Sequence, residues 1–105
     1  EVKNTTWCDG PLALFPDTVT ERGQKHLQEL MGVLPHARGV LVPRLSRPDV
    51  TCFAPGDSAD PRYGELFRQA MNAGVEVLPC AFSFQVDRIF WEGQRPVHSD
   101  QSVIR

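Results

Sequence analysis

Hydrophobic and polar positions alternate between two periods along the chain. Residues 1–7 carry β-branched and aromatic side chains at Val2, Thr5, Thr6 and Trp7, and Asp9-Gly10-Pro11 ends the run, which predicts a strand followed by a turn. Beyond Leu12 to Phe15, Leu27, Leu30, Met31 and Leu34 recur at i, i+3, i+4 and i+7, the spacing of one helical stripe. Thr18 and Glu21 fit a capping box, so the predicted helix starts there and runs to about Leu34, with Pro35 just past its end. Gly23 projects into the middle of the stripe, which predicts close approach of the helix backbone to a sheet.

Gly39 to Val42 is a short apolar run. Pro43 has no N–H to give to a ladder, so the strand is expected to end there or to lie at an edge. Ser46 to Pro61 is rich in Pro, Asp, Ser and Gly and reads as a long surface loop, closed by Asp60-Pro61 as helix cap and first helical position. Tyr63, Leu66, Phe67, Ala70 and Met71 give a second helix its apolar stripe, and Gly74 stands where a left-handed terminating residue is expected. Val75 to Leu78 reads as a strand, and Ala81 to Gln85 with Arg88 to Trp91 as a hairpin about Val86-Asp87. A domain over residues 1–93 and a loose tail over 94–105 follow. The element order implies an α/β fold, a mixed sheet flanked by helices with parallel pairing through right-handed crossovers. The sequence displays no internal repeat.

Composition narrows the class. At 105 residues, 41% of them hydrophobic, the chain is long enough for one core and too short for two. No apolar run approaches the roughly 20 residues of a membrane span, and the first residues lack the pattern of a secretory signal. Cys8, Cys52 and Cys80 are odd in number and lack C-x-x-C spacing, which suggests reduced thiols in the cytoplasm, with neither a disulfide framework nor a zinc site. The net charge of −2 requires any nucleic-acid function to rest on local charge, and residues 18–48 hold five basic residues against two acidic ones. A solvated helix face is the plainer account of such a bias.

Chemistry enters at the first strand. Side chains alternate there, so Glu1 and Lys3 share a face. A carboxylate can hold a divalent ion while a neighbouring ammonium stabilises phosphate charge or orients an attacking water, as in phosphodiester hydrolysis. A surface ion pair has the same pattern. On the first helix, Arg22 and His26 stand four residues apart at the edge of the apolar stripe, where they could face Glu1 and Lys3 or, for Arg22, pair with Glu29.

Glu1-Val2-Lys3-Asn4, followed by the run from Phe15-Pro16-Asp17-Thr18 through Thr20-Glu21-Arg22-Gly23-Gln24-Lys25-His26-Leu27, resembles the signature of the sugar fermentation stimulation protein A (SfsA) family. Phe53-Ala54-Pro55, Asp60-Pro61-Arg62-Tyr63 and Gly74 to Leu78 extend the resemblance over most of residues 1–80. It implies a longer, two-domain bacterial protein: an amino-terminal OB-like domain, then a restriction-endonuclease-like domain of PD-(D/E)XK type, associated with DNA binding and sugar metabolism. By the same resemblance Glu1 and Lys3 match the E-x-K arm and Glu1 is the metal ligand, for Mg²⁺ or Mn²⁺. The aspartate of the preceding strand, with the upstream helix and strands, has no counterpart here, so this chain alone is expected to be inactive. Asp17, Thr20 and Gly23 fall in the signature, and Arg22 suits phosphate contact and His26 a hydrogen bond or proton transfer.

The resulting expectation is a sequence-independent DNA-binding protein that needs no metal for binding and contacts DNA through Arg22, Lys25, His26, Arg44 and Arg47. The alternatives are a metal-dependent DNA nuclease and, more weakly, a structural or small-molecule-binding domain. No membrane partner is expected, and the edge left by the missing upstream strands is expected to favour self-association. His36 and His98 read as solvent-exposed, and Trp7 and Trp91 as packing residues rather than stacking platforms.

Overall fold

The computed structural model describes residues 1–98 and contains two small sheets and two helices. Val2–Thr5 (β1), Val40–Leu45 (β4), Cys80–Phe84 (β7) and Ile89–Gln94 (β8) form one sheet in that spatial order, with Glu76–Val77 (β6) also pairing on β4. Trp7–Asp9 (β2), Leu12–Phe15 (β3) and Cys52–Pro55 (β5) form the other. Helices Glu21–Gly32 (α1) and Pro61–Ala73 (α2) complete a mixed α/β fold. Pairing is parallel between β1 and β4, β4 and β7, β4 and β6, and β3 and β5, and antiparallel in the two hairpins.

The single strand expected over residues 1–7 is two strands in different sheets, separated at Thr6. Gly10, at φ 58°, supplies the left-handed position that lets β2 return as β3. The expected loop from Ser46 to Pro61 contains β5, whose Phe53, Ala54 and Pro55 are buried between β3 and α2.

Pro43 neither ends its strand nor marks an edge, since β4 is central and runs to Leu45. Val42 N–H points to β1, donating to Glu1 O at 2.8 Å, so the ring nitrogen of Pro43 faces the other side. On that side β6 pairs with Val40 and Leu41, and β7 with Arg44 and Leu45. Proline sits in the gap between them, where the ladder asks for no donor.

Thr20, not Thr18, caps α1, its side chain accepting from Gly23 N at 3.0 Å, and the helix ends at Gly32 rather than near Leu34. Gly23 is buried, but a β-carbon there would lie 2.7 Å from Thr20 Cγ2 and 3.1 Å from Tyr63 Cε2. The glycine therefore admits α2, not the sheet. The other end signals hold: Asp60 caps α2, Pro61 opens it, and Gly74 closes it at φ 112° with its N–H on Ala70 O. The hairpin about Val86-Asp87 forms as expected.

The expected tail boundary moves. Gln94 completes β8, Val97 bridges to Phe53, and Arg95 donates to the carbonyls of Pro48, Val50 and Glu92. Residues 96–98 are thus held against β5, Gln94 pairs with Cys80 of β7, and residues 99–105 lie outside the described part.

An internal repeat appears in space. Val2 pairs with Val42, Leu12 with Cys52, and Thr20 hydrogen-bonds to Asp60, each partner forty residues on. The succession β1, β3, α1 is repeated by β4, β5, α2, each strand lying parallel beside its equivalent. Equivalent positions keep only Val2/Val42, Asp9/Asp49, Asp17/Asp57, Arg22/Arg62 and Met31/Met71 over the span of these elements, which hid the period from the sequence.

The core lies between the helices and sheets, with Leu27 of α1, Tyr63, Leu66 and Phe67 of α2, Leu41 and Leu45 of β4, and Phe53 of β5. No helix among the described residues is long and apolar enough to cross a membrane.

Candidate functional site

Alternation along β1 sends Lys3 and Thr5 toward α1 and leaves Val2 and Asn4 exposed on the opposite face. Lys3 Nζ lies 3.2 Å from Glu1 Oε2 and 2.7 Å from His26 Nδ1, and His26 Nδ1 lies 3.3 Å from the same carboxylate oxygen. The three groups form a triangle at the outer edge of β1. The Lys3 side chain is only 12% exposed and that of Glu1 31%, so the ammonium is held and the carboxylate is reachable from solvent. Partial burial would raise the Glu1 pKa, but the hydrogen bond and charge of Lys3, then His26, overcome it and hold the carboxyl below the usual range.

The sequence pairing of Glu1 with Lys3 and the inclusion of His26 thus come together in one place. Arg22, one turn before His26, and Lys25 are exposed and make no ion pair among the described residues, so the anticipated Arg22–Glu29 pair is absent there. Arg44 and Arg47 do not join them. Arg44 projects from β4 on the face opposite Leu45, away from Lys3, and Arg47 follows that strand with both edges of its guanidinium on Asp49. Asp17 lies in the segment between β3 and α1, Thr20 is the cap, and Gly23 is the helix contact.

Residues beyond those expected build the support of the site. Asp60, 1% exposed, accepts from Tyr63 N, Thr20 N and Gln24 Nε2, so one carboxylate ties the starts of both helices together. Burial opposes its ionisation, but these N–H groups outweigh the cost and lower its pKa. Tyr63 is fully buried with its hydroxyl unpartnered, and burial, then the charges of Glu1 and Asp60, push the phenol pKa upward. Asp60-Pro61 revealed the cap in sequence. Its hold on Thr20 and Gln24 is tertiary and left no local trace.

Among the described residues no three His, Cys, Asp or Glu side chains gather to hold a metal ion. Glu1 and His26 offer one carboxylate and one imidazole, and Lys3 already occupies the imidazole nitrogen nearest the carboxylate. The described residues therefore form no closed cage for a hard ion such as Mg²⁺ or Ca²⁺ and offer it the single carboxylate of Glu1, the rest of its shell falling to water, phosphate or other oxygens.

The family model described as "Sugar fermentation stimulation protein RE domain" matches residues 1–88. A sugar fermentation stimulation protein homolog of Synechococcus sp. (strain CC9605) is 80% identical over 97 residues, covering 92% of this chain and 38% of the relative. A homolog of Prochlorococcus marinus (strain MIT 9313) is 72% identical over 102 residues, covering 97% and 41%. The solved structure titled as Pyrococcus furiosus SfsA in complex with Ca²⁺ superimposes with a TM-score of 0.88 at 30% identity, covering 93% of this chain and 43% of that one. The chain spans about two-fifths of the length of these curated relatives. With the model matching most of its length, the chain belongs to the sugar fermentation stimulation protein (SfsA) family.

Proposed function

We propose that this chain is a DNA-binding region on a restriction-endonuclease-like scaffold, contacting the sugar–phosphate backbone without reading base sequence. It serves a longer cytoplasmic protein linked to sugar metabolism, with an OB-like domain as its partner in the same polypeptide. The observation that carries this reading is the mostly buried Lys3 ammonium, fixed between Glu1 and His26 beside the exposed, unpaired cations Arg22 and Lys25 on α1. A pre-positioned ammonium with exposed cations on the neighbouring helix suits successive phosphates, whose contacts set affinity and orientation but carry no sequence information.

A second reading is phosphodiester hydrolysis with Mg²⁺ or Mn²⁺. The Ca²⁺ named for the Pyrococcus relative favours it, and so does the reachable carboxylate of Glu1. The described residues fall short of a ligand set, so the remaining donors have to come from water, phosphate or elsewhere in the longer protein. The test is a Mg²⁺ or Mn²⁺ cleavage assay on the full-length protein beside its Glu1→Ala variant. Salt-sensitive binding without cleavage supports the binding reading. Cleavage lost on Glu1→Ala, with binding retained, replaces it by the hydrolytic one.

A further inference from the structure

The hairpin of β7 and β8 runs on past the rest of its sheet. Leu45 with Ala81 is the last pair between β4 and β7, so beyond it the two hairpin strands have only each other among the described residues. Residues 84–92 are exposed throughout, and Phe84, Val86, Ile89, Phe90 and Trp91 load that stretch with large apolar side chains. Trp91 is thus not a packing residue of the described core, contrary to the reading from sequence. Edge strands are ordinarily blunted by lysine or proline, and Ile89–Gln94 has neither.

The backbone fixes what this edge presents. Gln85 N–H donates to Arg88 O at 2.8 Å, so Arg88 faces β7, and alternation turns the N–H and C=O of Ile89 and Trp91 outward. Side chains are placed by their contacts. The Arg88 guanidinium lies 6.0 Å from the centre of the Phe90 ring, and Ser83, which pairs with Phe90, donates to Glu92 Oε2 at 2.6 Å. Arg88, Phe90 and Glu92 therefore share one face of the hairpin, and Ile89 and Trp91 lie on the other.

We infer that β8 pairs antiparallel with β8 of a second copy of this chain, about a two-fold axis at Phe90. In that register Ile89 exchanges both backbone hydrogen bonds with Trp91 of the second copy, and Arg88 stands opposite its Glu92. The two Phe90 side chains meet at the non-hydrogen-bonded position, where opposed residues come closest. Opposite charges then flank an aromatic pair on one face, and isoleucine covers tryptophan on the other. An axis at Ile89 would set Arg88 against Phe90 and Asp87 against Trp91, and an axis at Trp91 would set Glu92 against Phe90. Charge complementarity thus selects both the occupant of the edge, a strand of the same sequence running the other way, and its register. The axis stands perpendicular to the sheet, so the sheet continues into the second copy with both helix layers on one face.

The contact is short, at the low end of specific interfaces, so the dissociation constant is expected on the order of 10 µM. Sedimentation of the full-length protein tests it. Arg88→Glu and Glu92→Arg each bring like charges together on both sides of the axis, and each alone is expected to weaken association about tenfold. An equimolar mixture of the two variants is expected to regain the native association, because every altered charge then meets its opposite. Phe90→Cys offers a route independent of charge. Mild oxidation is expected to link it to its own symmetry mate as a disulfide dimer, and Val86→Cys, which has no mate opposite, is expected to stay at the level of the native protein with its own cysteines. A full-length protein that sediments as a monomer well above the expected constant would overturn the inference and assign the hairpin to the rest of the polypeptide. A dimer that neither charge variant weakens, or that the mixture fails to restore, would overturn it as well.

Discussion

Asp60 and Thr20 are forty residues apart in sequence, yet Asp60 Oδ2 accepts the Thr20 N–H at 2.9 Å while Oδ1 of the same carboxylate accepts Tyr63 N. Removing this carboxylate uncaps α2 and strands two buried N–H groups. Asp60→Ala is expected to cost about 2–4 kcal/mol, read as a shifted denaturation midpoint, with Asp60→Asn costing less. Because the folded pKa is lowered, the stabilisation is complete above the ordinary aspartate pKa near 4 and is lost as the pH falls through the folded value. The difference in stability between the native protein and Asp60→Asn should therefore shrink on acidification below about pH 4. A gap that stays constant to acid unfolding would show that the carboxylate charge contributes nothing.

Gly23 separates α1 from Tyr63. A methyl group there would stand 2.7 Å from the Thr20 methyl and 3.1 Å from both Thr20 Oγ1 and Tyr63 Cε2, so cap or ring must give way. Gly23→Ala is expected to destabilise by about 1–3 kcal/mol in urea unfolding, against the usual gain from replacing a helical glycine. Stabilisation instead would mean that the two helices have room to part.

On the proposed DNA-binding reading, the placement of the cations predicts which of them count. Arg22→Ala with Lys25→Ala should reduce the slope of log K against log salt by about 2, and Lys3→Ala by less than about 1, since Glu1 partly compensates that ammonium. Arg47→Ala should change it little, since Asp49 already compensates that guanidinium, and Arg44→Ala should do the same from the other face of the sheet. Equal losses from all five positions would mean that nucleic acid wraps both faces.

Apolar exposure concentrates on the last hairpin. Ile89 is 61% exposed and Trp91 67% on the outer strand β8, with Phe90 on the same strand, Val86 in the turn and Phe84 at the end of β7 also exposed. The sequence led to an expectation of association at the edge left by the upstream strands, but among the described residues the heavier apolar load is on β8. Ile89→Lys with Trp91→Lys should lower self-association of the isolated chain in sedimentation while leaving its thermal midpoint within a few degrees. An unchanged association constant would return attention to β1.

What could be read from sequence was local. Asp60-Pro61 and Gly74 bound α2 through contacts within a few residues, and the turn about Val86-Asp87 joins neighbouring strands. Glu1, Lys3 and His26 could be grouped because strand alternation and the α1 stripe set the two faces, with the family resemblance adding weight to the pairing. The misses depend on distant partners. The proline in β4 is tolerated only because β6 and β7 leave a gap at that point. β5, with Pro55-Gly56 at its end, is a strand because β3 pairs with it. Thr6 suits a strand as well as its neighbours do, and only the arrangement of two sheets shows that the chain changes layer there.

The forty-residue offset bears on how the protein is made. Every parallel pairing of β1 and β3, and the tie between the helix starts, waits for the second strand–helix unit. During synthesis the first unit leaves the ribosome before β4 and β5 can pair with it and with its cap unanchored, gaining these partners only once Asp60 and the helix after it have emerged. Contacts of such long sequence separation slow the search for the native state, since loop closure is paid before they form. Cut between the two units, for instance after Gly39, neither piece keeps a completed layer. The cluster at Glu1, Lys3 and His26, drawn wholly from the first unit, is thereby an all-or-none product of the second.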